Sequence, residues 1–113
     1  MTDRELLELA AKAAGYDFVS HTGYDEETDE YKTHTWLREP KRLVEWNPLT
    51  DDGDALRLAV NLGIVVSAGS KENRFVCANP DSKAQILEER RPDPFAATRR
   101  AIVRAAAQIG AQM

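Results

Sequence analysis

Three side chains in this sequence could ligate a soft metal ion or act as a nucleophile or base: His21, His34 and Cys77. None sits at the short spacing that zinc sites use, so metal chemistry would need the fold to bring distant positions together. Asp51-Asp52-Gly53-Asp54 has the carboxylate density of a calcium loop. It lacks the further ligand positions and the closing Glu of an EF-hand. The same residues suit a helix start, with Asp51 as N-cap and Asp52 and Asp54 in the first turn against the positive end of the helix dipole. Ser20-His21 are neighbours in sequence, which does not make a relay of nucleophile, base and orienting acid. Cys77 lies in a strand-like stretch, where packing is expected rather than a reactive thiolate. Gly53, Gly63 and Gly69 match no phosphate-cradling or dinucleotide loop. No catalytic, metal or cofactor residue is therefore assigned, and an enzyme is not the favoured expectation.

Two groups of residues point to binding instead. Trp36 and Trp46, with Tyr24 and Tyr31 near them, could form an exposed aromatic patch of the kind enriched at interfaces. The competing role is sheet packing, and with so few aromatics the core is expected to claim at least one Trp. Arg99, Arg100 and Arg104, joined by Arg90 and Arg91, could meet phosphate or an acidic protein, or could simply decorate a solvated helix face. A net charge of −4 argues against a general grip on nucleic acid, because cationic side chains supply most of that affinity. No aromatic residues interleave with these arginines, as a single-strand platform would require.

Bulk properties set the frame. A chain of 113 residues fits one domain, spanning residues 1–113. Its 42% apolar and 30% charged residues suit a globular protein rather than a disordered one. One cysteine excludes an internal disulfide and suits a reducing cytoplasm. Neither a membrane-spanning run nor a secretory signal is read from the sequence.

The elements that must position these side chains are well punctuated. Thr2-Asp3-Arg4-Glu5 fits a capping box, and Leu6, Leu9, Ala10 and Ala13 trace one face of a helix over residues 3–14, closed by Gly15. Glu8 and Lys12 are spaced to pair on its outer face. Tyr16–Ser20 reads as a strand and the acidic run from Asp25 to Glu30 as a loop. Tyr31–Leu37 and Arg42–Trp46 form a hairpin around Pro40. The helix after Asp51 is expected to turn Leu56, Ala59 and Val60 inward, backed by Ala55 and Leu62, and to stop at Gly63. Ile64–Ser67 reads as a buried strand and Arg74–Ala78 as a strand with Phe75 and Cys77 opposite Val76. A turn follows over Asn79–Ser82, and Lys83–Glu88 is a weaker strand or short helix. Asp93-Pro94 opens a last helix with Phe95, Thr98, Ile102, Ala105 and Ile109 inward. The expected fold is α+β, an α/β/α-type sandwich around a mixed, mainly antiparallel sheet in the order α-β-β-β-α-β-β-β-α.

The segments Asp3–Gly15 (DRELLELAAKAAG), Trp46–Ala59 (WNPLTDDGDALRLA) and Ala97–Ala107 (ATRRAIVRAAA) resemble small phage and prophage proteins grouped as the phage ABA-sandwich domain. That resemblance implies a helix–sheet–helix sandwich and a phage or prophage origin, hence the cytoplasm of a bacterial host. It implies no activity or site residues. The favoured expectation is a non-enzymatic accessory protein that binds another protein or itself. A nucleic-acid-associated module using the C-terminal arginines is the alternative, and a small hydrolase or metal enzyme the third reading.

Overall fold

The computed structural model describes residues 1–81 and 83–113. In chain order the elements are α1 (Asp3–Ala14), β1 (Phe18–Asp25), β2 (Glu30–Glu39), β3 (Arg42–Glu45), α2 (Asp52–Leu62), β4 (Val65–Ser67), β5 (Phe75–Asn79), β6 (Ile86–Glu89) and α3 (Pro94–Ala111). The α+β class and the element order are those the sequence predicts. The helix ends follow local chemistry closely. Thr2, Asp51 and Asp93 each accept an amide hydrogen bond from the first turn they cap, which satisfies donors the helix itself leaves unpaired. Gly15 and Gly63 close α1 and α2 in the left-handed region, with φ of 74° and 66°, where a side chain would be strained.

The strands form two separate three-stranded sheets, β1-β2-β3 and β4-β5-β6, antiparallel throughout. This replaces the single mixed sheet expected from the sequence. Within each triplet the connections are short returns, which favour antiparallel neighbours; a parallel pair needs a long crossover. The one crossover-length element between strands, α2, separates the triplets rather than linking parallel neighbours. The turn expected over Asn79–Ser82 includes Ser82, which lies outside the described residues. Next to it, Asp81 accepts hydrogen bonds from the Lys83 and Ala84 amides.

Helix α3 organises the core. Ala101, Ile102, Val103, Ala105, Ala106, Ala107 and Gly110 are all buried, so apolar residues surround much of its circumference rather than one stripe. The reason is that α1, α2 and the β4-β5-β6 sheet all pack on it. On α1 the buried set is Leu6, Leu7, Ala10 and Ala11, turned slightly from the predicted stripe because the small alanines admit α3. Its outer face carries an Arg4–Glu8 ion pair in place of the predicted Glu8–Lys12.

Helix α2 departs most from expectation. Ala55, Leu58 and Ala59 are buried, whereas Leu56 and Val60 are exposed. Two helical stripes of similar apolar content overlap on α2, and packing uses the one with the smaller residues. Phe95, predicted to face inward, is also exposed. Strand β4, predicted as buried, is a three-residue edge strand with Val65 exposed and Val66 half-buried. On β5 the predicted alternation holds, with Val76 and Ala78 buried.

Candidate functional site

The two tryptophans border one polar groove but differ in burial. Trp46 is only 4% exposed and makes edge-to-face contacts with Tyr16 (centroids 5.8 Å apart) and Phe18 (6.0 Å). Its carbonyl accepts a hydrogen bond from the buried Thr35 hydroxyl. Trp36 lies opposite Glu45 in the β2–β3 register, half-buried and stacked on His34 at 5.9 Å. The strand period therefore sends Trp36 and Trp46 to opposite faces of the sheet. The core claims Trp46, and no tryptophan patch forms.

The arginines of α3 are engaged by their own chain. Arg99 donates to the Leu49 carbonyl at 2.8 Å and to Asp52 at 2.6 Å. Arg100 donates to Asp3 at 3.1 Å and lies 4.0 Å from Glu88. Arg104 pairs with Glu88 and donates to the Leu87 carbonyl at 3.1 Å. These guanidiniums tie α3 to α1, α2 and β6. Glu88 sits between two of them and is largely shielded from solvent. Replacing it with alanine is expected to destabilise the fold by about 1–2 kcal/mol, measured by urea unfolding; an unchanged midpoint would show that the pairs contribute nothing.

His21 and His34 face each other across β1 and β2, whereas Cys77 lies in the other sheet. Among the described residues no group of three or more His, Cys, Asp or Glu side chains is placed to hold a metal ion. A polar groove of about 510 Å³ runs between β2 and the start of α2, past Thr33, Trp36, Glu45, Asp51 and Asp54. Asp51 accepts the Asp54 amide, and Asp54 accepts the Asn47 amide and Arg57. Both carboxylates serve the helix start, as the sequence predicts for this run.

A second groove, of about 420 Å³, lies where α2, β4 and the start of α3 meet. Leu56, Val66, Phe95 and Ile102 make it largely apolar, and Arg90, Arg99 and Asp52 also line it. Leu56 is 64% exposed and Phe95 67%, and Val60 on the next turn of α2 is 70% exposed. Arg90 donates to the Ala68 carbonyl at 3.3 Å but has no carboxylate partner among the described residues. The helical period of the sequence turns Leu56, Val60 and Phe95 inward, and the structure exposes all three. The readable signal was that α2 carries more apolar positions than a one-sided helix needs.

A third feature is an arm. Strand β3 pairs with β2 only from Trp36 to Glu39, while β1 pairs with β2 out to Asp25–Glu30. Among the described residues the outer part of the β1–β2 hairpin therefore has no third strand. It is held by its own cross-strand contacts: Thr22 and Thr33 hydroxyls at 2.7 Å, Lys32 and Asp25 at 3.1 Å, and Tyr24 edge-on to Tyr31 at 5.3 Å. The Lys32 ammonium, then the Glu27 amide, hold the Asp25 carboxyl below its ordinary pKa. Tyr31 is 76% exposed and Tyr24 is exposed beside it.

Among the described residues no helix is long and apolar enough to cross a membrane. No family model matches the chain, and neither the curated proteins nor the solved structures give a match.

Proposed function

We propose that this chain is a non-enzymatic protein-binding domain whose contact surface is the groove between α2, β4 and the start of α3. The observation that carries this reading is the exposure of Leu56, Val60 and Phe95 on adjoining elements. Leu56 and Phe95 line the concavity and Val60 is exposed one helical turn from Leu56. Large apolar side chains of this kind gain free energy when a partner removes them from water, at about 25 cal/mol per Å². Binding chemistry follows from the lining: a protein segment offering apolar side chains, with a carboxylate for Arg90. An accessory role in a phage or prophage, in the cytoplasm of a bacterial host, is supported by the likeness of residues 3–15, 46–59 and 97–107. A nucleic-acid role through Arg99, Arg100 and Arg104 is less favoured, since each already meets a carboxylate or carbonyl of its own chain.

The test is capture from host lysate, with and without nuclease treatment, by the tagged chain and by Leu56→Asp and Phe95→Asp variants. A protein held by the parent and lost by both variants is the expected result. Both substitutions lie at exposed positions, so stability should change by no more than about 0.5 kcal/mol. Capture unaffected by both variants, or dependent on intact nucleic acid, would reject the proposal.

A further inference from the structure

We propose that the occupant of the apolar groove is a second copy of this chain, seated there by the tip of its β1–β2 arm. This inference rests on the groove being a protein-binding surface and adds its partner. The tip carries the exposed Tyr24–Tyr31 pair among Asp25, Glu26, Glu27, Asp29 and Glu30, with Lys32 as the one nearby cation. The groove is largely apolar; of the charged side chains lining it, Arg99 and Asp52 pair with each other, and Arg90 has no carboxylate partner among the described residues. Two aromatic rings inside an acidic fringe thus meet an apolar trough with a basic edge.

Charge also decides which pairing is possible. Groove against groove would bring two Arg90 side chains without carboxylate partners into one interface, and tip against tip would gather ten carboxylates with two Lys32. Like charges brought together cost free energy, whereas tip against groove joins opposite signs and gains it. Within one chain the tip does not fill the groove, because both Tyr31 and Phe95 remain exposed. The arm itself supplies a second argument. A two-stranded ribbon without a covering layer is marginally stable in water, and docking would give its tyrosine face the layer it lacks. A tip-to-groove contact either closes reciprocally in a two-fold dimer, each tip in the other copy's groove, or runs from copy to copy into a ring or filament.

Sedimentation velocity across a concentration series tests this. The parent should self-associate as concentration rises, and more weakly at high salt. A groove variant, Phe95→Asp, and a tip variant, Tyr24→Ser with Tyr31→Ser, should each lower the association constant by roughly tenfold or more. Mixing the two variants is the decisive step. One retains a sound tip and the other a sound groove, so the mixture should form heterodimers and stop there. Circular dichroism of each variant confirms that the helices persist, and Glu27→Lys provides a tip change that keeps the aromatic pair. A parent that stays monomeric at millimolar concentration, or an associating parent whose variant mixture remains monomeric, would overturn the proposal. Either result leaves the groove free for a different protein, whose capture would survive the tip variants and fail only in Leu56→Asp and Phe95→Asp.

Discussion

Gly110→Ala is expected to destabilise the protein by about 3 kcal/mol or more, a large share of the 5–15 kcal/mol typical of a domain. A Cβ at this position would stand 2.0 Å from the Leu9 carbonyl oxygen and 2.9 Å from its carbon. The obstacle is backbone, so no side-chain rotation relieves it, and α1 and α3 would have to move apart. Separation would spoil the contact of Ala10 and Ala11 with α3, which is buried against α1 through small residues of its own. The sign makes the test sharp. In an unconstrained helix the same change stabilises by about 1 kcal/mol, because alanine is the better helix former. A urea midpoint at or above that of the parent would refute the close approach of the two helices.

Trp46→Ala should cost about 3–5 kcal/mol, the usual range for removing a buried aromatic ring. Its edge-to-face partners Tyr16 and Phe18 would lose their favourable geometry as well. Trp36→Ala should cost less than half as much, since Trp36 is half-buried and packs chiefly on His34. Chemical unfolding of the two variants side by side measures the difference. Equal losses would mean that the sheet does not separate the two rings as described.

These two residues also show where the sequence was informative and where it was not. Features decided within a few residues were legible: the Thr2, Asp51 and Asp93 caps, the Gly15 and Gly63 stops, and the turn at Pro40. Capping and turn chemistry act over one helical turn or less. The inward face of α2 was not legible, because the Leu56–Val60 stripe and the Ala55–Leu58–Ala59 stripe satisfy the same period and only tertiary packing selects between them. The arginines were placed on the right helix, but their role depends on partners as distant in sequence as Asp3, 97 residues from Arg100. The division of six strands into two sheets was hidden for a related reason. Alternation within a strand says which side chains share a face and nothing about which strand lies beside it. The candidate groove, assembled from Leu56, Val66 and Phe95, which the sequence assigns to inward faces of three elements, was the least legible part.

The intimate contact between α1 and α3 also bears on synthesis. Ribosomes add roughly 5–20 residues each second, so the partner that covers Leu6 and Leu7 emerges several seconds after they do. Each sheet can pair within its own stretch of nascent chain in the meantime, since its strands are close in sequence. The helical body must wait for residues 94–111, and until then the apolar side of α1 is open to chaperones. Completion of this fold is timed by translation of its last helix.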